Sequence, residues 1–289
     1  MLVSALNIVI NGLLLGGLYA LIAMGLNLQY GVARVLNIAH GEFIMLGAFI
    51  TWALYTMFGI NPLVSIVIVG PIVFIIGFVI QRTLFTSLRT SSPSQPAFEG
   101  SSMLASFGLL FIIQNVALLI WGGDMRAYSY YNFGINLWGA VFAANRLIAL
   151  IFAVVIGVAF YIFLVRTRIG KAIRAAAEDP TTAGIMGVNI NLVLALCFGL
   201  GAVMAGLAGI FISMCFPIYP VMGLEYLIIT IIVVVLGGLG SIPGSFIGGF
   251  ILGLIGSLVS SWQPSLALAA YYFIFMLLLI VRPKGILGK

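Results

Sequence analysis

The chain has 289 residues, 63% hydrophobic and 6% charged, with 12 Lys and Arg against 6 Asp and Glu for a net charge of +6. Soluble domains carry about 25% charged residues and disordered chains are poor in apolar ones, so the composition excludes both and reads as an integral membrane protein. Two cysteines exclude a disulfide scaffold, and cations spread between apolar blocks form no stripe that would track nucleic acid.

Residues 1–33, 43–81, 100–123, 147–165, 191–224 and 226–281 carry no charge. A helix needs about 20 apolar residues to cross the hydrocarbon, whereas the strands of a membrane barrel alternate. Continuous blocks such as 147–165 therefore predict helices. In chain order the spans fall at roughly 5–30, 37–57, 61–81, 102–121, 147–165, 191–213, 221–238, 245–262 and 266–281. The expected fold is an all-α polytopic bundle of about 8–9 transmembrane helices in one domain over 1–289. The first block lacks a basic n-region and reads as a span, not a signal peptide. The Lys/Arg bias places Arg34, Arg82, Arg89, Arg166, Arg168, Lys171, Arg174, Arg282, Lys284 and Lys289 in the cytoplasm. Arg126 and Arg146 fall outside, with the N-terminus. Cys197 and Cys215 fall about 27 Å apart along one helix, too far to pair, and read as small buried side chains.

Two stretches combine apolar surroundings with residues that break helices. The first is Asn37-Ile38-Ala39-His40-Gly41-Glu42, with the single histidine of the chain. The second is Gly237-Gly238-Leu239-Gly240-Ser241-Ile242-Pro243-Gly244. Irregular backbone at membrane depth persists only inside protein or along a polar cavity, and transporters place such breaks on substrate paths at matching positions of two halves. The expectation is that Asn37, His40, Gly41, Glu42, Gly237, Gly238, Gly240 and Pro243 mark helix breaks or a translocation path. The two breaks would correspond in an inverted repeat. Tying spans together is the competing role for the first cluster. The spacing supports neither a metal site nor a hydrolase triad, since there is no H-E-x-x-H, no G-x-S-x-G and no second histidine.

The loop 166–190 begins with an Ala-rich basic helix in which Arg174 and Glu178, four apart, can pair. Asp179-Pro180 reads as an N-cap followed by an N1 proline, and Gly187 or Asn189 as the stop of a helix of about seven residues. That helix carries Thr181, Thr182, Ala183, Ile185 and Met186, and needs either a partner surface or the bilayer interface. Gly170-Lys171 is followed by Ala172, so no P-loop exists and any ATP is bound by another chain. An ion-coupled carrier or channel is the alternative class. It is weakened because Glu42 and Glu225 are the only acids near spans.

Four runs carry a family likeness: Gly25–Glu42 (GLNLQYGVARVLNIAHGE), Gly170–Asn189 (GKAIRAAAEDPTTAGIMGVN), Leu236–Gly249 (LGGLGSIPGSFIGG) and Arg282–Gly288 (RPKGILG). They resemble the permeases of branched-chain amino acid ABC importers, and the shorter of the two Liv-system permeases in particular. Urea and short-amide importers share much the same motifs. The resemblance implies a second homologous permease, two cytoplasmic ATP-binding subunits, a periplasmic substrate-binding protein, no bound cofactor or metal, and alternating access. It also implies that the 178–187 segment is a coupling helix seated in an ATPase groove, with Arg174, Glu178, Asp179, Pro180, Ala183 and Gly187 serving it. Asn37, His40, Gly41 and Glu42 match the family's N-x-A-H-G-E break. Asn191-Leu192 departs from the charged pair that relatives often carry there.

Overall fold

A computed structural model of the chain describes residues 2–137 and 140–288, so Lys289, one of the cations placed in the cytoplasm, lies outside the described residues. The elements run α1 (Leu2–Ala33), α2 (His40–Phe58), α3 (Ile66–Ile80), a π-helical turn (Gln81–Phe85), α4 (Thr86–Ser91), α5 (Gln95–Trp121), β1 (Gly134–Leu137) and β2 (Ala140–Ala143). There follow α6 (Ala144–Arg166), α7 (Arg168–Glu178), α8 (Pro180–Ile185), α9 (Ile190–Cys215), α10 (Met222–Gly237), α11 (Ile242–Trp262), a short 3-10 turn and α12 (Ala267–Val281). Among the described residues eight helices are long and apolar enough to cross a membrane, and α10 is a shorter apolar helix. The chain is a polytopic helical bundle.

One local expectation is corrected. The connection between the expected spans 61–81 and 102–121 is mostly helix. The π turn and α4 carry α3 on to Ser91, and α5 starts at Gln95, with Ser94 accepting from the Ala97 N–H. The apolar run marks where lipid ends, but a helix continues past it wherever its backbone bonds are satisfied. A small hairpin, in which Gly134 pairs with Ala143 across antiparallel β1 and β2, accompanies the helices.

Small residues decide which helix is central. The membrane-length window of α9 is 83% buried, against 11% for Pro264–Val281. Lipid gives apolar helices no drive to associate, so close backbone contact must hold them together. α9 carries Gly199, Gly201, Ala202, Ala205, Gly206, Ala208 and Gly209 for that purpose. A Cβ on Gly25 of α1 would lie 2.6 Å from the Gly201 carbonyl oxygen, and one on Gly201 would lie 2.6 Å from the Gly25 carbonyl oxygen. Gly12, Gly16, Gly249 and Gly253 likewise bring α1 and α11 into antiparallel backbone contact.

The packing repeats with its partners exchanged. α1 packs on α11 as α9 packs on α3; α2 packs on α9 as α10 packs on α1; α1 crosses α9, and α2 meets α10. The triples α1–α2–α3 and α9–α10–α11 are thus two oppositely directed halves about a pseudo-two-fold axis. That axis runs near the reciprocal glycine pairs Gly25–Gly201 and Gly41–Gly223. The connector matching 34–39 is 216–221, of the same length, and not the 237–244 stretch proposed from sequence. The 237–244 stretch is a turn between α10 and α11 instead.

Candidate functional site

After α1 the chain turns back at Arg34, a left-handed residue with φ +56°, and re-enters the bundle. Its irregular backbone is satisfied from within. The Ile38 N–H donates to Ser106 Oγ of α5 (3.1 Å) and the Ala39 N–H to Asn37 Oδ1 (3.1 Å). Asn37 Nδ2 donates to Gln29 Oε1 (3.2 Å), and Gln29 Nε2 donates to the Phe198 carbonyl of α9 (3.0 Å). Asn37 therefore ties α1, the connector and α9 together.

α2 then begins deep inside the bundle. His40 is fully buried and one ring nitrogen, Nε2, lies 3.1 Å from the Ile22 carbonyl of α1, so that nitrogen carries the proton. Among the described residues Nδ1 has no hydrogen-bond partner, and neither oxygen of the fully buried Glu42 has one. Gly41 meets the Gly223 backbone so closely that any side chain there would overlap the Gly223 carbonyl. The N-termini of α2 and α10 thus converge, and their positive dipole ends surround the Glu42 carboxyl group, which lies against Gly223. The matching connector 216–221 bonds outward instead, with Arg126 and Ile218 exchanging two backbone bonds of 2.8 Å.

Gly237, Gly238, Gly240 and Pro243 come together at the far end of α10, about 21 Å from Gly223 by helical rise. Gly238 (φ +103°) and Gly240 (φ +83°) make the turn, Ser241 caps α11 by accepting from the Gly244 N–H (3.2 Å), and Pro243 lies in the first turn of α11. One amide of α1 holds this turn. Asn27 Nδ2 lies within bonding distance of the Gly238 carbonyl (3.1 Å), the Ser241 carbonyl (2.9 Å) and Ser245 Oγ (2.6 Å), and its Oδ1 accepts from the Gly240 N–H (2.6 Å). The tail closes the end: the Ile286 N–H donates to the Leu236 carbonyl (2.9 Å) and the Leu287 N–H to the Gly237 carbonyl (3.1 Å). The sequence reading missed Asn27 and Gln29. Their signal was present, since both are buried amides in a run without charge.

At the same end α7 lies on the bundle through Gly170, Ile173 and Ala176. The expected Arg174–Glu178 pair is absent. Arg174 turns back to the Val165 carbonyl (3.1 Å), one of the open carbonyls ending α6. Asp179 caps α8: its Oδ1 accepts from the N–H groups of Thr181 (2.9 Å) and Thr182 (3.2 Å), and its Oδ2 accepts from the Thr182 hydroxyl. These bonds, the hydroxyl's above all, hold the carboxyl below its usual pKa. Gly187 (φ +90°) ends the turn after α8, and Ala183 anchors the helix inward. Ile185 and Met186 are each 81% exposed. The sequence-predicted residues thus form three places, not one: the mid-depth crossing of 37–42, the 237–243 turn, and the 168–187 helix pair.

Comparison with known proteins places these features in a family context. Residues 8–282 match the family model described as branched-chain amino acid transport system / permease component. The chain is 33% identical, over 96% of its length and 94% of the relative's, to the high-affinity branched-chain amino acid transport system permease protein LivH of Escherichia coli (strain K12). It is 30% identical to BraD of Pseudomonas aeruginosa, a permease protein of the same description, over 97% of this chain and 94% of the relative. It is 25% identical to a probable branched-chain amino acid transport permease of Methanocaldococcus jannaschii, over 96% of this chain and 91% of the relative.

Proposed function

The chain belongs to the permease family of branched-chain amino acid transport systems, and on that footing we propose that it is the membrane-spanning subunit of an ATP-binding cassette importer for leucine, isoleucine and valine. It sits in the inner membrane with the N-terminus periplasmic and the C-terminus cytoplasmic. It pairs with a second, homologous permease, two cytoplasmic ATP-binding subunits dock beneath, and a periplasmic binding protein delivers substrate.

The observation that carries this reading is α8. A short helix with a built N-cap and a glycine stop presents Ile185 and Met186 to the outside, at the end where the basic residues concentrate. A side chain of either kind gains about 1.5–3 kcal/mol from full burial, so the pair suits a groove on a partner. Movement of α8 passes to α7 and α9, on which it packs, and α9 crosses α1 at the Gly25–Gly201 contact. Closure of the ATPases would therefore turn one half of the inverted repeat against the other. Asn37, His40, Gly41 and Glu42 lie where the halves meet and change surroundings most in such a turn. Ile185→Asp is the test. Inserted protein should lose ATPase association or show leucine uptake per ATP lowered by about tenfold. Unchanged uptake per ATP would remove α8 from the mechanism.

A further inference from the structure

At the outer end, two adjoining cavities of about 530 and 500 Å³ share Asn7, Asn11, Arg146 and Phe216. Among the described residues no acid lines either one. The first is rich in amide and hydroxyl groups, and the second continues past Arg146 between an apolar side of Ile8, Leu14 and Leu15 and the hydroxyls of Ser4, Ser257, Ser260 and Ser261. Their size is that of small-ligand pockets.

Arg146 is the third residue of α6, so its charge stands at the positive end of that helix, where a cation is disfavoured. No side chain caps α6; its first two N–H groups, of Ala144 and Asn145, donate to the carbonyls of Phe133 (2.9 Å) and Tyr131 (3.2 Å). Arg146 Nη1 donates to Asn11 Oδ1 (3.0 Å), and the guanidinium lies 5.9 Å from the Phe216 ring centre. These contacts fix the guanidinium plane without neutralising it. Its neighbour Asn145 is 7% exposed and lines the first cavity. Asn145 Nδ2 donates to the Met214 carbonyl (2.7 Å), while Oδ1 is buried with no hydrogen-bond partner among the described residues. A fixed cation at a helix N-terminus calls for an anion, and a buried orphan acceptor beside it calls for a donor.

We propose that this cavity is an outer subsite for an α-amino acid zwitterion, with Arg146 taking the carboxylate, Asn145 Oδ1 accepting from the ammonium, and the apolar side chains of Ile8 and Leu14 lining the place of the aliphatic side chain. This assignment rests on the importer reading above and names where substrate is first held. A planar guanidinium matches a carboxylate with two parallel bonds, which a lysine cannot reproduce.

The test is saturation-transfer NMR of the full chain in nanodiscs, with L-leucine, L-leucinamide and 4-methylpentanoate as probes. Leucine methyl groups should saturate. Leucinamide, lacking the carboxylate, and 4-methylpentanoate, lacking the ammonium, should each bind about tenfold more weakly or worse. Arg146→Gln should remove the leucine signal, Arg146→Lys should restore it in part, and Asn145→Leu should weaken leucine while leaving 4-methylpentanoate unchanged. Helical circular dichroism confirms that each variant is folded, and the probe series on the unaltered chain stands even where a variant is not. Equal signals from leucine and leucinamide, no leucine signal from the unaltered chain, or full binding by Arg146→Gln would each overturn the subsite. Leucine uptake by the assembled importer is measured separately, so failure of the subsite leaves the importer reading intact. Absence of that uptake would overturn the importer reading itself.

Discussion

Asn27 shows what one amide does in an interior almost free of charge. It bridges α1 to the α10–α11 turn with its donor group and its acceptor together, and its side chain is fully buried. Leaving a buried partner unsatisfied costs about 1–3 kcal/mol. Asn27→Ala is therefore expected to destabilise the folded protein by about 2 kcal/mol, read as a lower thermal midpoint with faster amide exchange at Gly238–Ser241. An unchanged midpoint and unchanged exchange would show that the turn holds itself. Gly41 faces a harder limit, because its neighbour is backbone and cannot rotate away. At this scale the sequence was legible where a residue acts on its own neighbours, as with the Asp179 cap. It was not legible where a distant group competes. Arg174 and Glu178 stand at pairing distance on a helix, yet the Val165 carbonyl, nine residues back, takes the guanidinium. Arg146 read as a topological charge because Asn11 and Phe216 reach it only through the fold.

Among elements, α8 was the most legible and the helix ends elsewhere the least. The start of α8 is written in Asp179-Pro180, and Gly187 closes the turn after it with the positive φ that a side chain disfavours. Asp179→Ala is expected to leave α7 and α9 in place while amide exchange at Thr181–Ile185 rises several-fold. Exchange confined to its former rate would mean that packing of Ala183, not the cap, holds the helix. The same cap carries a pH dependence. Its carboxyl pKa is depressed in the folded chain, so its contribution is present above the ordinary aspartate value of about 3.9. That contribution is lost as pH falls through the lower folded value. Protection of α8 should accordingly fade on the acid side before the spans unfold, and loss beginning at neutral pH would contradict it. By contrast, α4 and the start of α5 lay hidden. Hydropathy reports the thickness of lipid, and helices continue beyond it through polar turns such as Arg82–Ser91.

For the whole molecule, the polytopic helical bundle followed from composition and charge spacing. The internal symmetry did not. The two halves share a packing plan and equal connectors, 34–39 and 216–221, and in the register that pairs Gly41 with Gly223 they also repeat Gly17 at Gly199, Leu18 at Leu200, Ala20 at Ala202 and Ala23 at Ala205. Breaks visible in the sequence, at 37–42 and 237–244, turned out to be a mid-depth helix start and a surface turn. A molecule of two opposed halves, with the exposed Ile185 and Met186 of α8 at one end and a polar cavity at the other, fits the alternating access proposed above. It offers ion coupling little, since Glu42 is enclosed by the α2 and α10 N-termini and has no ionisable partner among the described residues. The most direct test is labelled leucine accumulation in proteoliposomes, comparing this chain alone under imposed proton and sodium gradients with the chain assembled with its partner permease, ATPases and binding protein. Accumulation that requires the assembly and ATP is the predicted result; accumulation by the chain alone, driven by either gradient, would contradict it.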